Sequence, residues 1–277
     1  MALKLSVVIA DKDAPKSAFV VWRDFEASIE KAARMGFKGV ELALGEAADI
    51  DPRQLDAWLE KWGLQVSCIS TGLTFARLGL YMTHSDEEKR REIIKLFKDL
   101  TLLAKNHGGM INVGRSRGFV APDQTREESE GLFLSCMEEI LPFAKAHGVT
   151  ILIEPINRYE SNFINSLDEA TTLLKQLPCG NVGIMADLFH MNIEDDNIAG
   201  SLVRNRQYVK YIHIADSNRR APGMGHMDFK AALTALRQMG YEGWLSAEVL
   251  PGDDPDKTAQ AVVNYMRPVM EELDIWH

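Results

Sequence analysis

Eight short apolar runs, rich in Val, Ile and Leu, recur along the chain, and a segment of helical period follows each of them. The runs are residues 5–10, 39–43, 65–70, 110–113, 150–154, 182–186, 211–215 and 244–248. Near-continuous apolar runs of this length suit strands buried on both faces, as parallel strands are when helices flank the sheet. Eight strand-then-helix units in 277 residues match the ordinary size of a closed α/β barrel. The predicted fold is a TIM (β/α)8 barrel.

Helix boundaries are written locally. Gly follows the end of several helical segments, in Met35-Gly36-Phe37, His107-Gly108-Gly109, His147-Gly148-Val149 and Met239-Gly240-Tyr241, where it suits a left-handed C-terminal cap. Ser85 with Glu88, Thr125 with Glu128 and Ser166 with Glu169 have the spacing of capping boxes. Since no Pro- or Ser-rich linker, low-complexity tract or composition shift divides the chain, a single domain over residues 1–277 is expected.

Charge and cysteine content narrow the function. A formal net charge of −9 without a basic stripe argues against nucleic acid as a partner. Cys68, Cys136 and Cys179 are odd in number and far apart, which fits a reducing compartment better than a disulfide framework. The first apolar run lacks a cleavage site and leads into Asp11, Lys12 and Asp13, so it reads as a strand and not as a targeting segment. No apolar run approaches the ~20 residues of a membrane span, and a soluble cytoplasmic protein is expected.

The reacting groups of such a barrel project from the C-terminal ends of its strands. Glu154, Asp187, His213 and Glu248 close or follow the apolar stretches of the last four runs. A lone strand-end carboxylate has an ordinary use as a helix cap or an arginine partner. Four such groups on neighbouring strands would instead converge, and their carboxylates would repel one another. A divalent cation relieves that conflict. Three carboxylates and one imidazole are hard, oxygen-rich donors suited to Mn²⁺, Mg²⁺ or Co²⁺ with positions left for water and substrate, unlike a structural zinc site. The chemistry of such an ion would be stabilisation of an enediolate.

The segments Glu154-Pro155-Ile156-Asn157-Arg158-Tyr159-Glu160, Ala186-Asp187-Leu188-Phe189-His190-Met191, His213-Ile214-Ala215-Asp216 with Arg219, and Ala247-Glu248 together resemble the D-tagatose 3-epimerase group. That group belongs to the sugar-phosphate isomerase/epimerase barrels, related in fold to xylose isomerase and endonuclease IV. The resemblance covers nearly the whole chain. It implies that Glu154, Asp187, His213 and Glu248 are the metal ligands and that Glu154 and Glu248 also form the acid/base pair. It further implies that Glu160, His190 and Arg219 contact substrate oxygens and that the protein is a homodimer or homotetramer.

The implied activity is metal-dependent epimerisation of a ketose or keto-sugar derivative, at carbon 3, through an enediolate. Such a reaction needs a base on one face of the sugar and an acid on the other, which two carboxylates on separate strands can supply. Aldose–ketose isomerisation and inosose-type dehydration are alternatives on the same barrel. A DNA-repair endonuclease would need a larger, His-rich site and a surface for a polyanion. A non-catalytic sugar-binding barrel would not need a paired acid and base.

Other polar residues have simpler uses. Arg158 is expected to bridge barrel carboxylates and Asn157 to pin its loop. Arg115 and Arg117 sit on the reacting face, where they suit a phosphate or carboxylate, although surface charge is the commoner use. His226 lies on a turn-rich loop, Asp228 suits a helix cap, and Trp22 is either a pocket wall or a core residue. Residues 86–91 read as a solvated helix face, and the scattered methionines as core filler.

Overall fold

The computed structural model describes residues 2–177 and 180–276, so Cys179 lies outside the described residues. Its strands are β1 (Lys4–Ala10), β2 (Trp22–Arg23), β3 (Gly39–Ala43), β4 (Gln65–Ser70), β5 (Met110–Asn112), β6 (Thr150–Ile153), β7 (Val182–Asp187), β8 (Val209–Ile214) and β9 (Trp244–Ala247). All pair in parallel, β1 with β3 and then in sequence to β9, and β9 returns to β1 to close the sheet. This is the expected TIM (β/α)8 barrel, with every predicted strand present to within two residues at each end. The addition is β2, whose two residues pair with Ile9 and Ala10, beyond Val7 where the β9 ladder stops.

Helices α1 (Phe25–Met35), α2 (Pro52–Trp62), α3 (Glu87–Ala104), α4 (Arg126–Ala146), α5 (Leu167–Leu174), α6 (Leu188–Glu194), α7 (Ile198–Arg204), α8 (Phe229–Gln238) and α9 (Pro255–Glu272) surround the strands. No described helix is long and apolar enough to cross a membrane. Thr125 and Glu128 form the expected capping box of α4, and Ser166 caps α5. At α3 the cap is Asp86 and not Ser85: its carboxylate accepts from Glu88 N at 2.8 Å, one residue nearer the open amides. Gly36 ends α1 at φ +95, and Gly108 is required twice over, since at φ +81 a Cβ there would also stand 2.7 Å from Val66 O.

The main core lies between strands and helices, where residues such as Leu5, Leu42, Phe97, Phe133, Ile151 and Phe229 are wholly buried. A smaller cluster of Cys68, Leu152, Met185, Tyr211 and Trp244 draws one residue from each of five strands and alternates with those packed on helices. It fills the barrel interior as a packed layer and forms the floor below the strand C-termini.

Two register shifts shape that floor. Val40 pairs with Val66 but Glu41 with Cys68, leaving Ser67 unopposed, and Ile184 pairs with Val209 but Met185 with Tyr211, leaving Lys210 unopposed. Such bulges re-aim side chains. Here Ser67 Oγ lies 2.7 Å from Tyr211 Oη, and Tyr211 in turn donates to Glu41 Oε2 at 2.9 Å.

Candidate active site

Strands β6 to β9 bring the four predicted ligands together. One donor atom each from Glu154, Asp187, His213 and Glu248 lie within 4.8 Å of one another. Asp187 and His213 face each other in the β7–β8 register, while Glu154 and Glu248 stand one residue past β6 and β9. Asp187 also caps α6, accepting from Phe189 N with Oδ1 at 2.8 Å and leaving Oδ2 for the cluster.

The centre of the group is the His213 ring, fully buried. Its Nδ1 is 3.2 Å from Glu154, 3.5 Å from Glu248 and 3.7 Å from Asp187. Burial opposes charge on this ring, but Glu41 first, then Asp187 and Glu154, outweigh it and push its pKa well above that of ordinary imidazole. Burial likewise opposes the Asp187 anion, yet Arg219, His190 and His213 hold its carboxyl well below the usual range. Glu154 is lowered too: the His213 hydrogen bond prevails over burial and over the nearby Asp187 charge. Glu154 and Asp187 therefore stay ionised beside a His213 ring that favours its charged form. Three carboxylates and one imidazole converging on one point, all buried but the partly exposed Glu248, are donor chemistry that suits a divalent ion.

Of the predicted substrate contacts, Arg219 Nη1 donates to Asp187 Oδ2 at 2.5 Å, and Nη2 contacts Glu248 Oε2. The guanidinium lies between the rings of Phe19 and Phe189, 4.9 and 4.7 Å from their centroids. Its backbone sits at φ +61, a left-handed conformation that costs a non-glycine residue about 1–2 kcal/mol. The loop holds it there: Arg219 N donates to Asp216 O, and Leu250 N to Arg219 O, each at 2.8 Å.

Asn157 links the other two. Its Nδ2 donates to Glu160 Oε1 at 2.9 Å and to His190 Nδ1 at 2.8 Å, which leaves the proton of a neutral His190 on Nε2. Burial is the main cause that lowers the His190 pKa, favouring that neutral form.

A cavity of about 130 Å³ opens on this group. Glu154, Glu248, Glu160, His190 and Arg219 line it, together with Phe19 and Asn112. Asp187 and His213 lie behind that lining. The structure thus separates two ligand candidates that face the cavity from two that support them.

Several residues have other roles than expected. Arg158 does not bridge barrel carboxylates; it pairs with Glu194 at 2.9 Å, its side chain 60% exposed, because the loop after β6 turns outward at that point. Arg117 is not surface charge. It is fully buried and donates to the carbonyls of Phe163, Gly114, Glu154 and Ile164, which ties the loop after β6 to the turn after β5. Trp22 is a core residue whose Nε1 donates to Asp256 at 2.7 Å. His226 is exposed and meets Ser217 Oγ at 2.9 Å, while Asp228 caps α8 as expected.

The sequence did not single out Glu41, Asn112 or Phe19. Glu41 lies wholly buried under His213, and Asn112 donates to Glu154 Oε2 at 2.7 Å. A charge in the middle of the apolar run Gly39-Val40-Glu41-Leu42-Ala43 was the one available signal, since an unpartnered charge has no place in a strand buried on both faces.

Known proteins carry the same arrangement of strands. A 3-dehydro-D-guloside 4-epimerase of Escherichia coli is 28% identical over 241 residues, covering 84% of this chain and 90% of its own. A D-psicose 3-epimerase of Ruminiclostridium cellulolyticum is 26% identical over 276 residues, covering 90% and 93%. The crystal structure of a D-allulose 3-epimerase from Methylomonas sp. superposes with a TM-score of 0.82 at 23% identity, over 97% of this chain and 100% of the other, and shares its fold. The family described as the xylose isomerase-like TIM barrel matches residues 29–269, and the chain belongs to that family.

Proposed function

We propose that this protein is a metal-dependent epimerase acting at carbon 3 of a ketose or keto-sugar derivative, with Glu154 and Glu248 as the acid/base pair. One observation carries the reading: these two carboxylates, from strands separated by β7 and β8, line one cavity and meet at the same imidazole nitrogen. Relatives named as ketose 3-epimerases and a glycoside 4-epimerase support the substrate class.

Glu154, Asp187, His213 and Glu248 are the residues that would hold the ion, taken to be Mn²⁺. Bound there, the ion would supply positive charge suited to stabilising an enediolate. Glu154, kept ionised and oriented by Asn112, is suited to take the proton from the carbon beside the carbonyl. Glu248, beside Arg219, enters this step protonated and delivers its proton to the opposite face; Glu154 is then protonated and Glu248 ionised, the state from which the reverse reaction starts. His190, with its proton on Nε2, donates to a sugar oxygen, and Glu160 accepts from a hydroxyl. The two phenyl rings on Arg219 keep water from its faces and fix its direction.

A single domain over residues 1–277, a homodimeric or homotetrameric assembly and a cytoplasmic location belong to the same reading. The described thiols Cys68 and Cys136 are buried and free, in keeping with a reducing compartment.

The test is incubation of Mn²⁺-loaded protein with free ketoses, keto-glycosides and phosphorylated ketoses in D₂O. Deuterium at one carbon with inversion there supports epimerisation. Aldose product or loss of a hydroxyl would replace it with isomerisation or dehydration.

A further inference from the structure

Arg115 is a cation that the site described so far does not use. It projects from the turn Gly114–Arg117 after β5, exposed, with its guanidinium 4.9 Å from the centroid of the Phe75 ring. Stacking on an aromatic face positions a guanidinium while leaving its in-plane N–H donors unspent. Among the described residues, no carboxylate pairs with those donors and no side-chain hydrogen bond takes them. Its neighbours differ: the Arg117 donors are consumed by carbonyls, and Arg158 is held by Glu194.

The location of Arg115 gives this free cation a use. The cavity at Glu154 and Glu248 holds only about 130 Å³, less than the ~300–1,000 Å³ of ordinary ligand pockets. Beside it lies an outer chamber of about 310 Å³, walled by Phe75, Phe119, Tyr159 and Asn162. Arg115, Ile156 and Glu160 line both spaces, so they form the boundary a longer substrate would cross. Glu160 is tied to Asn157 and left for hydroxyl groups, whereas Arg115 offers a planar fork that matches an oxyanion.

We propose that the substrate carries an anionic group at the end remote from its reacting carbons, and that Arg115 binds this group where the two spaces join. The inference rests on the keto-sugar reading above and narrows it to acidic keto-sugars, whether phosphate esters or carboxylates.

Calorimetric titration of the Mn²⁺-loaded holoenzyme with D-fructose, D-fructose 6-phosphate, D-fructuronate and a neutral 3-keto-glucoside tests it. At least one acidic sugar should bind roughly 10- to 100-fold more tightly than D-fructose, the range of a charge-assisted contact. Arg115→Gln should collapse that ratio, and Arg115→Lys should restore part of it. Preference between the phosphate and the carboxylate identifies the group. Equal or tighter binding of the neutral sugars, or a ratio unmoved by Arg115→Gln, overturns the proposal. The two readings fail separately. Arg115-dependent binding without deuterium exchange in D₂O would remove the epimerase and leave the anion site, while exchange into neutral ketoses without acidic preference would do the reverse.

Discussion

Glu41 holds His213 from the side away from the cavity: its carboxylate oxygens lie 3.0 and 3.1 Å from Nε2, while Nδ1 of the same ring faces the three strand-end carboxylates. Glu41 is itself fixed by the Tyr211 hydroxyl, which stands over Ser67 and Ser6. The chain of contacts orients one ring nitrogen toward the site and makes it more basic, as carboxylates behind metal-bound histidines do. Glu41→Gln keeps the shape and removes the charge. Its Mn²⁺ dissociation constant should rise about 10- to 100-fold with the circular dichroism spectrum unchanged. Wild-type affinity in that variant would show that Glu41 only fills space.

Glu154→Gln and Glu248→Gln test the proposed acid/base pair. An amide keeps an oxygen for the ion but cannot take up a proton at neutral pH. Each variant should bind Mn²⁺ and lose epimerisation by about 10²–10⁴-fold, the contribution of a positioned proton transfer. Each can still exchange a substrate proton from the face that the other glutamate serves. Wild-type turnover in both metal-loaded variants would exclude this pair.

The parts legible in the sequence are those that depend on neighbours in the chain. Strand positions followed from apolar runs bounded by caps, and the four clustered residues could be picked out because each closes or follows an apolar stretch. What escaped depends on distant partners. Glu41 has meaning only through His213, 172 residues away, and β2 only through the end of β1. Arg117 looked like surface charge because its acceptors, the carbonyls of Phe163 and Ile164, come from a loop 46 and 47 residues on. Burial has pushed its pKa down to about 10, which still leaves it charged at neutral pH.

Metal removal should be felt in stability, because Asp187 and Glu248 are then offset chiefly by Arg219 and His213. Mn²⁺ at 100 times its dissociation constant should add about 2.7 kcal/mol over protein stripped with chelator. For a chain of this size that corresponds to roughly 5–10 °C in Tm. Arg219→Gln removes one of the two cations and should cost about 3–5 kcal/mol in stripped protein, as breaking a buried pair does. Mn²⁺ should narrow that deficit. A deficit equal with and without the ion would mean that Arg219 and the ion do not share the same carboxylates.

Away from the proposed metal ligands, Asp11 braces the wall of the outer chamber. Arg77 sits on the π-helical turn Thr74–Leu78, which also carries Phe75, and its Nη2 and Nη1 donate to Asp11 at 2.6 and 2.8 Å. Nη1 also reaches Asp49 at 3.3 Å, so one guanidinium ties the loops after β1 and β3 to the turn that bears the ring under Arg115. The Arg77 hydrogen bond is the main cause that holds the Asp11 carboxyl below its ordinary value. A group whose pKa is depressed by folding stabilises the folded state above its unfolded pKa, about 3.9 for Asp, and loses that effect as pH falls through the folded value. The pair is partly exposed, with side chains 24% and 19% accessible, so screening limits it to roughly 1 kcal/mol. Asp11→Asn should therefore melt about 2–4 °C below wild type at pH 7. The gap should persist down to about pH 4 and close under stronger acid, as wild-type Asp11 takes up its proton. A gap that stays constant below pH 4 would mean that the Asn side chain disturbs packing, and that the charge on Asp11 does not hold the turn.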